Sequence, residues 1–144
     1  MKIICFAFIF STQVFSETLH LRGVVHSSMK INVIQEGSAK NLNLSKEQKD
    51  LKIATITESS NPNSRYKVSV TSVNKGKFES EMMKNSSHDY IVKYKGEEMN
   101  LSSPREIIIT ASDDHSDLTI SYKSFNNIMN APYSDTIRLT YKID

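Results

Sequence analysis

The five residues 113–117 hold the densest set of groups that could do chemistry in this chain. Asp113, Asp114 and Asp117 supply carboxylates, and His115 supplies an imidazole. Carboxylate oxygens suit Ca²⁺ and Mg²⁺, and imidazole suits transition metals. However, the spacing is not that of a calcium-binding loop, and the segment lies between two apolar runs. We therefore expect a solvated loop between strands rather than a metal site.

Other reactive side chains are scattered and form no recognisable constellation. His20, His26 and His88 are separated in sequence, whereas a zinc site needs several converging ligands. No serine has glycine on both sides, as in a nucleophile elbow, and there is no glycine-rich phosphate loop. We therefore expect no enzyme activity, no bound metal and no cofactor.

The charge balance disfavours a strongly charged partner. The chain has 144 residues, the size of one ordinary domain, with 18 basic and 16 acidic residues and a net charge of +2. So small an excess favours neither nucleic acid nor an anionic membrane surface. We expect no binding to nucleic acid.

The first 16 residues have the pattern of a secretory signal peptide. Lys2 precedes an apolar run, and the residues at 14–16 suit a signal peptidase. The run is too short to span a bilayer, and a buried first strand is the lesser alternative. Cleavage after Ser16 would leave one domain, 17–144, with no membrane span. The only cysteine, Cys5, would be lost, so the exported protein, whether in the periplasm, at the cell surface or outside the cell, would have no disulfide.

The C-terminal stretch 133–143 is the most regular in the chain. Ile137, Leu139, Tyr141 and Ile143 alternate with polar residues and fall on one face. Period-two alternation is typical of a strand with one face on a core and one in water. Such a strand would run roughly 35 Å. We expect it either to close a sheet or to present an edge to another strand.

Shorter runs of the same kind recur along the chain. Leu19, Leu21, Gly23 and Val25 alternate in the first run, and its glycine indicates a bulge or a close backbone approach. The other strand-like runs are 29–34, 51–57, 66–73, 90–94, 107–111 and 118–122. No convincing amphipathic helix accompanies them.

Polar stretches separate these runs and are expected to be turns or loops. The longest are 58–64, 79–89 and 112–117, and Gly76 is expected to take a positive φ in the turn at 74–77. Seven to nine short strands with this spacing predict an all-β domain. We expect an antiparallel β-sandwich with Greek-key connections, with a closed barrel as the lesser alternative.

Several motifs also occur in a characteristic order. Residues 19–25, followed by 29–33, form a hydrophobic strand with Arg-Gly-Val at its end; residues 54–61 and 66–77 follow, and 131–141 close the chain. The first group resembles the opening strand of bacterial chaperone–usher fimbrial subunits. The last group is similar to the closing strand of spore coat protein U-like secreted proteins. Together the motifs cover most of the mature chain.

This resemblance implies an incomplete immunoglobulin-like sandwich that lacks its last strand. In those families a periplasmic chaperone, and then a neighbouring subunit, adds a β-strand to the exposed edge. The final strand would form one wall of the resulting groove, with Ile137, Leu139, Tyr141 and Ile143 on its floor. The implied function is that of a secreted structural subunit of a fimbria or surface coat.

One departure from that pattern leaves two functions open. A polymerising subunit needs a donor segment of about ten residues before its first strand, whereas only Glu17 and Thr18 precede Leu19 here. Either residues 19–25 are themselves the donor, or the protein cannot donate. The alternative function is a self-complete periplasmic or secreted β-sandwich that acts as a binding or adhesion module.

We predict that the exported protein begins at Glu17, because the cleavage pattern ends at Ser16. Intact-mass measurement of the exported protein should give residues 17–144. Phe8→Arg interrupts the apolar run and should retain the precursor in the cell, whereas Asn41→Arg adds the same charge elsewhere and should not affect export. A processed product from the Phe8→Arg variant would contradict this prediction.

Overall fold

The computed structural model describes Arg22 and residues 29–60, 65–110, 114–126 and 131–143. Several residues named above lie outside these ranges: the predicted signal peptide, 1–16; Glu17 and Thr18; the predicted first strand, with Leu19, Leu21, Gly23 and Val25; His20 and His26; and Asp113.

Nine strands provide most of the regular structure in the described part of the chain. They are β1 (Met29–Gln35), β2 (Gln48–Ser60), β3 (Arg65–Ser72), β4 (Lys77–Ser80), β5 (Met83–Tyr94), β6 (Glu97–Met99), β7 (Arg105–Thr110), β8 (Asp114–Tyr122) and β9 (Ile137–Ile143). A short 3₁₀ turn, Gly37–Lys40, follows β1. All strand pairings are antiparallel, so the predicted all-β class is confirmed. Within these ranges no helix has the length and apolar character needed to cross a bilayer.

The strands form two sheets. The first has the order β1-β2-β8-β5-β4, with β6 paired to β5, and the second has the order β7-β3-β9. The chain leaves the first sheet after β2, enters the second at β3 and returns to the first at β4. Apolar residues from both sheets form one core cluster, an arrangement consistent with a β-sandwich.

Alternation along each strand directs one set of side chains into this core. On β3, Tyr66, Val68 and Val70 are buried, whereas Lys67 and Ser69 between them are partly exposed. Burying an aliphatic side chain of this size contributes about 1.5–3 kcal/mol. Core residues on the other strands include Ile56, Val92, Ile107, Ile109, Leu118 and Ile120.

The last strand is shorter than the sequence predicts, since β9 begins at Ile137 rather than at residue 133. Ser134 instead forms an isolated bridge with Glu79 of β4, with reciprocal backbone hydrogen bonds of 2.9 and 3.1 Å. The chain therefore touches the first sheet at Ser134 and joins the second at Ile137. Because a strand cannot pair with both sheets in one register, this crossing divides the predicted strand.

Polar stretches predicted to be turns contain strands instead. Residues 58–60 continue β2, where Ser60 pairs with Met29 of β1. Residues 83–89 belong to β5, and 114–117 begin β8. These predictions were wrong because a ladder is made by backbone groups, which pair irrespective of side-chain polarity, whereas the pattern reports only side chains.

We predict that Ile56→Ala lowers the free energy of unfolding by about 2–5 kcal/mol, because it leaves a cavity at a fully buried position. Ile108→Ala is the matched control, since Ile108 is 56% exposed and its truncation should change stability by only about 0.5 kcal/mol. Urea unfolding, fitted to a two-state transition, measures the free energy of unfolding of both variants. Equal losses would contradict the assigned core.

Candidate functional site

A groove of about 750 Å³ opens beside β9. One wall is formed by β9 and the segment 131–136 that leads into it, and the other by β1 and residues 39–44. The first sheet supplies the floor, with Ile53, Ala54, Phe78, Tyr90, Leu118 and Ile120. The floor is mainly apolar and suits apolar side chains, whereas the walls also carry polar residues such as Lys40, Asn41 and Asp135.

The strand β9 is an edge strand in the described part of the chain, where β3 is its sole partner. The Val73 N–H donates to the Thr136 carbonyl at 3.0 Å, one residue before the register that pairs Ser72 with Ile137. Bonded and non-bonded pairs alternate in an antiparallel ladder. The even-numbered residues of β9 therefore bond to β3, and the odd-numbered residues direct their N–H and C=O groups to the free edge.

Three of the four predicted groove residues lie on the inner face of β9. Ile137, Leu139 and Tyr141 are half-buried and pack against the core cluster. Ile137 and Leu139 also line the groove. Ile143, at the end of the strand, is 38% exposed and lies outside both sets. The apolar face of β9 thus flanks the groove along the first half of the strand.

The Asp135 carboxylate, at the β4 end of the groove, accepts four hydrogen bonds. Its Oδ2 accepts from Ser72 Oγ at 2.5 Å and from Tyr90 Oη at 2.6 Å. Its Oδ1 accepts from the backbone N–H groups of Asn74 at 3.0 Å and Thr136 at 2.6 Å. Burial, together with the bond to Asp135, raises the pKa of Tyr90 well above its ordinary value. These bonds fix the point at which the chain crosses between sheets.

Glu58 lies in the interior and is 1% exposed. Its carboxylate accepts hydrogen bonds from Tyr66 Oη, at 2.6 Å, and from Tyr94 Oη, and Lys95 Nζ lies 2.8 Å from Oε2. An unpaired carboxylate in such a place would cost several kcal/mol, roughly, of free energy. Two hydroxyls and one ammonium group offset that cost, and they come from both sheets.

Tyr141 connects β9 to the Glu58 cluster. Its hydroxyl lies 3.4 Å from the Tyr94 hydroxyl. Because the single hydrogen of Tyr94 is donated to Glu58, Tyr141 must donate to the Tyr94 oxygen. Burial raises the pKa of Tyr141 to about 12.

The other candidate residues do not converge on one point. In 113–117, Asp113 lies outside the described ranges. His115 Nδ1 is 3.0 Å from Thr57 Oγ1, and Asp117 forms a 2.9 Å ion pair with Lys52 at the surface. His88 stacks on the Phe125 ring at 3.6 Å between centroids.

Sequence reasoning missed both central carboxylates. Glu58 falls in a stretch predicted to be a turn, and Asp135 in the predicted extension of the last strand. One signal was present, since Tyr90 and Tyr94 have the same parity on one strand and therefore face the same side. A buried tyrosine hydroxyl usually has a hydrogen-bond partner. The sequence did not indicate which residue would provide it.

No family model matches this chain, and no curated protein matches it.

We predict that Tyr141 contributes to a loss of stability between pH 10 and 12. Its pKa is 10.0 in the unfolded chain and about 12 in the folded protein, so the unfolded state loses its proton first as the pH rises. The contribution is therefore complete below pH 10 and is lost as the pH approaches 12. Tyr141→Phe should flatten this part of a plot of urea midpoint against pH. Identical slopes for the two proteins would contradict the prediction.

Proposed function

We propose that this protein is a secreted structural subunit of a fimbria or surface coat that assembles by donor-strand exchange. In this proposal its sheets form an immunoglobulin-like Greek-key sandwich that lacks one strand beside β9. A periplasmic chaperone, and then a neighbouring subunit, would supply that strand after export. The function is structural, without catalysis.

The observation that carries the proposal is the combination of a free edge and a groove with an apolar floor along the same strand. A strand laid against β9 would bond to the outward N–H and C=O groups of Ile137, Leu139 and Tyr141. Its alternate side chains would enter the groove beside Ile137 and Leu139. Main-chain bonds then provide affinity, and the alternate side chains set the register.

The length of β9 sets the size of the partner. Seven residues span about 23 Å in an extended strand. The seven residues 19–25 have this length, and Leu19, Leu21, Gly23 and Val25 alternate as an inserted strand requires. We propose this segment, from a neighbouring copy, as the donor. An uncovered edge of this kind is prone to aggregation, which gives a chaperone a role before assembly.

A second function is supported by a different observation. The groove floor is already well covered, since Ile53 is 8% exposed and Leu118 and Ile120 are each 3% exposed. An acceptor that lacks a core strand would bury the most apolar surface on binding a donor if its groove floor were exposed to solvent. A self-complete periplasmic or secreted β-sandwich, acting as a binding or adhesion module, would have such a covered floor.

We predict that the purified protein forms concentration-dependent assemblies that persist in moderate urea, because each added strand forms a new ladder. Size-exclusion chromatography with urea titration measures this. Leu139→Arg places a charge in the groove, and Leu21→Arg places one on the donor face, so both should abolish assembly. Thr140→Arg and His20→Arg place the same charge at positions that alternate with Leu139 and Leu21, and these two variants should still assemble.

Two further readouts separate these functions. Circular dichroism must show that Leu139→Arg remains folded, and a synthetic 19–25 peptide should bind the wild-type protein and not this variant. A wild-type monomer at all concentrations, with one cooperative transition that the peptide does not shift, would refute the subunit proposal and favour the self-complete module.

A further inference from the structure

Two tyrosines of β5 hold the two ends of the edge strand. We propose that Tyr90, through Asp135, and Tyr94, through Glu58 and Tyr141, are positioning residues that seat β9 against the first sheet at both ends. Tyr90 and Tyr94 are four residues apart on one strand and face the same side, with the fully buried Val92 between them. We call these two contacts the start clamp and the end clamp.

The start clamp acts just before β9. Tyr90 of the first sheet donates to Asp135 at 2.6 Å, two residues before the strand begins. Ser72, at the end of β3, donates to the same carboxylate oxygen at 2.5 Å and accepts the Gly76 N–H at 2.6 Å. The carboxylate is therefore shared between the two sheets and the turn after β3.

The end clamp acts through the side chain of Tyr141. Tyr141 donates to Tyr94, which donates to the buried Glu58. Glu58 is itself held by Tyr66 at 2.6 Å and by Lys95 at 2.8 Å. The Tyr94 hydrogen is directed to Glu58, so the Tyr94 oxygen is left as an acceptor for Tyr141.

Removing one clamp should loosen β9 without unfolding the protein. Without the Tyr90 hydroxyl, Asp135 still has three donors, and without the Tyr94 hydroxyl, Glu58 still has Tyr66 and Lys95. Neither carboxylate is left bare. An edge strand with one ladder opens at lower free energy than a central strand, so the effect should be local.

The two clamps have separate reporters on the same strand. Arg138 and Lys142 are even-numbered, so their N–H groups bond to Thr71 and Lys67 of β3. Arg138 lies beside the start clamp and Lys142 beside the end clamp. Amide hydrogen exchange at these two positions therefore reports the two ends of β9 separately.

The test is amide exchange of the full protein and three variants, compared at one concentration. Tyr90→Phe should accelerate exchange at Arg138, and Tyr94→Phe at Lys142, each by about tenfold, the effect expected of one hydrogen bond. Tyr122→Phe is the control, because its hydroxyl donates to the Asn43 carbonyl at 3.3 Å, away from β9. In the Tyr122→Phe variant the exchange rates of the Arg138 and Lys142 amides should not change relative to those of the β8 amides.

A uniform acceleration in β2, β8 and β9 would overturn the proposal, because it would reflect lower global stability only. Unchanged exchange at Arg138 and Lys142 would also overturn it.

The functional meaning of the clamps, a preformed edge for an incoming strand, rests on the proposed function. A separate measurement, the association rate of the 19–25 peptide, tests it. Local acceleration with no peptide binding to the wild type supports the clamps and refutes the assembly function. Peptide binding to the wild type, with unchanged exchange in the variants, would support the assembly function and refute the clamps.

Discussion

The second sheet depends on one strand, β3. Its two edges pair with β7 and β9, so in the part of the chain that the structure describes every ladder of this sheet includes β3. The buried side chains of Tyr66, Val68 and Val70 fix β3 on the core. A change that displaced β3 would release both neighbours together, whereas β9 can loosen without displacing β3. In this small sheet β3 therefore holds the structure together, whereas its neighbour β9 can loosen.

The Glu58 cluster adds direction to this hydrophobic arrangement. Apolar packing is non-directional and tolerates small shifts of one sheet over the other. The carboxylate instead needs Tyr66, which comes from the second sheet, and Tyr94 and Lys95, which come from the first sheet and the turn that follows β5. A buried ion pair is weak evidence for stability, because desolvation cancels much of its attraction. Its effect here is to favour the arrangement of the sheets in which Tyr66, Tyr94 and Lys95 all reach the carboxylate.

The sequence predicted what depends on local alternation and missed what depends on distant partners. The runs at 66–73 and 107–111 and the inward parity of Ile137 and Leu139 follow from period two, and the positive φ of Gly76, at 76°, from its place in a turn. The burial of Glu58 depends on Tyr94, far along the chain, and the strand at 83–89 depends on backbone pairing with β4 that its polar side chains do not reveal. No local pattern contains that information. For the same reason the final strand was predicted four residues too long.

The absence of cysteine from residues 17–144 gives these polar contacts a particular role. In many β-sandwiches a disulfide joins the two sheets. Such a bond stabilises mainly by restricting the unfolded chain. Here Tyr90–Asp135 and Tyr66–Glu58 join elements of the two sheets in the folded state alone. Bonds of this kind can open and re-form within a folded protein. An edge strand held in this way can loosen locally without any covalent change, which a disulfide at the same place would prevent.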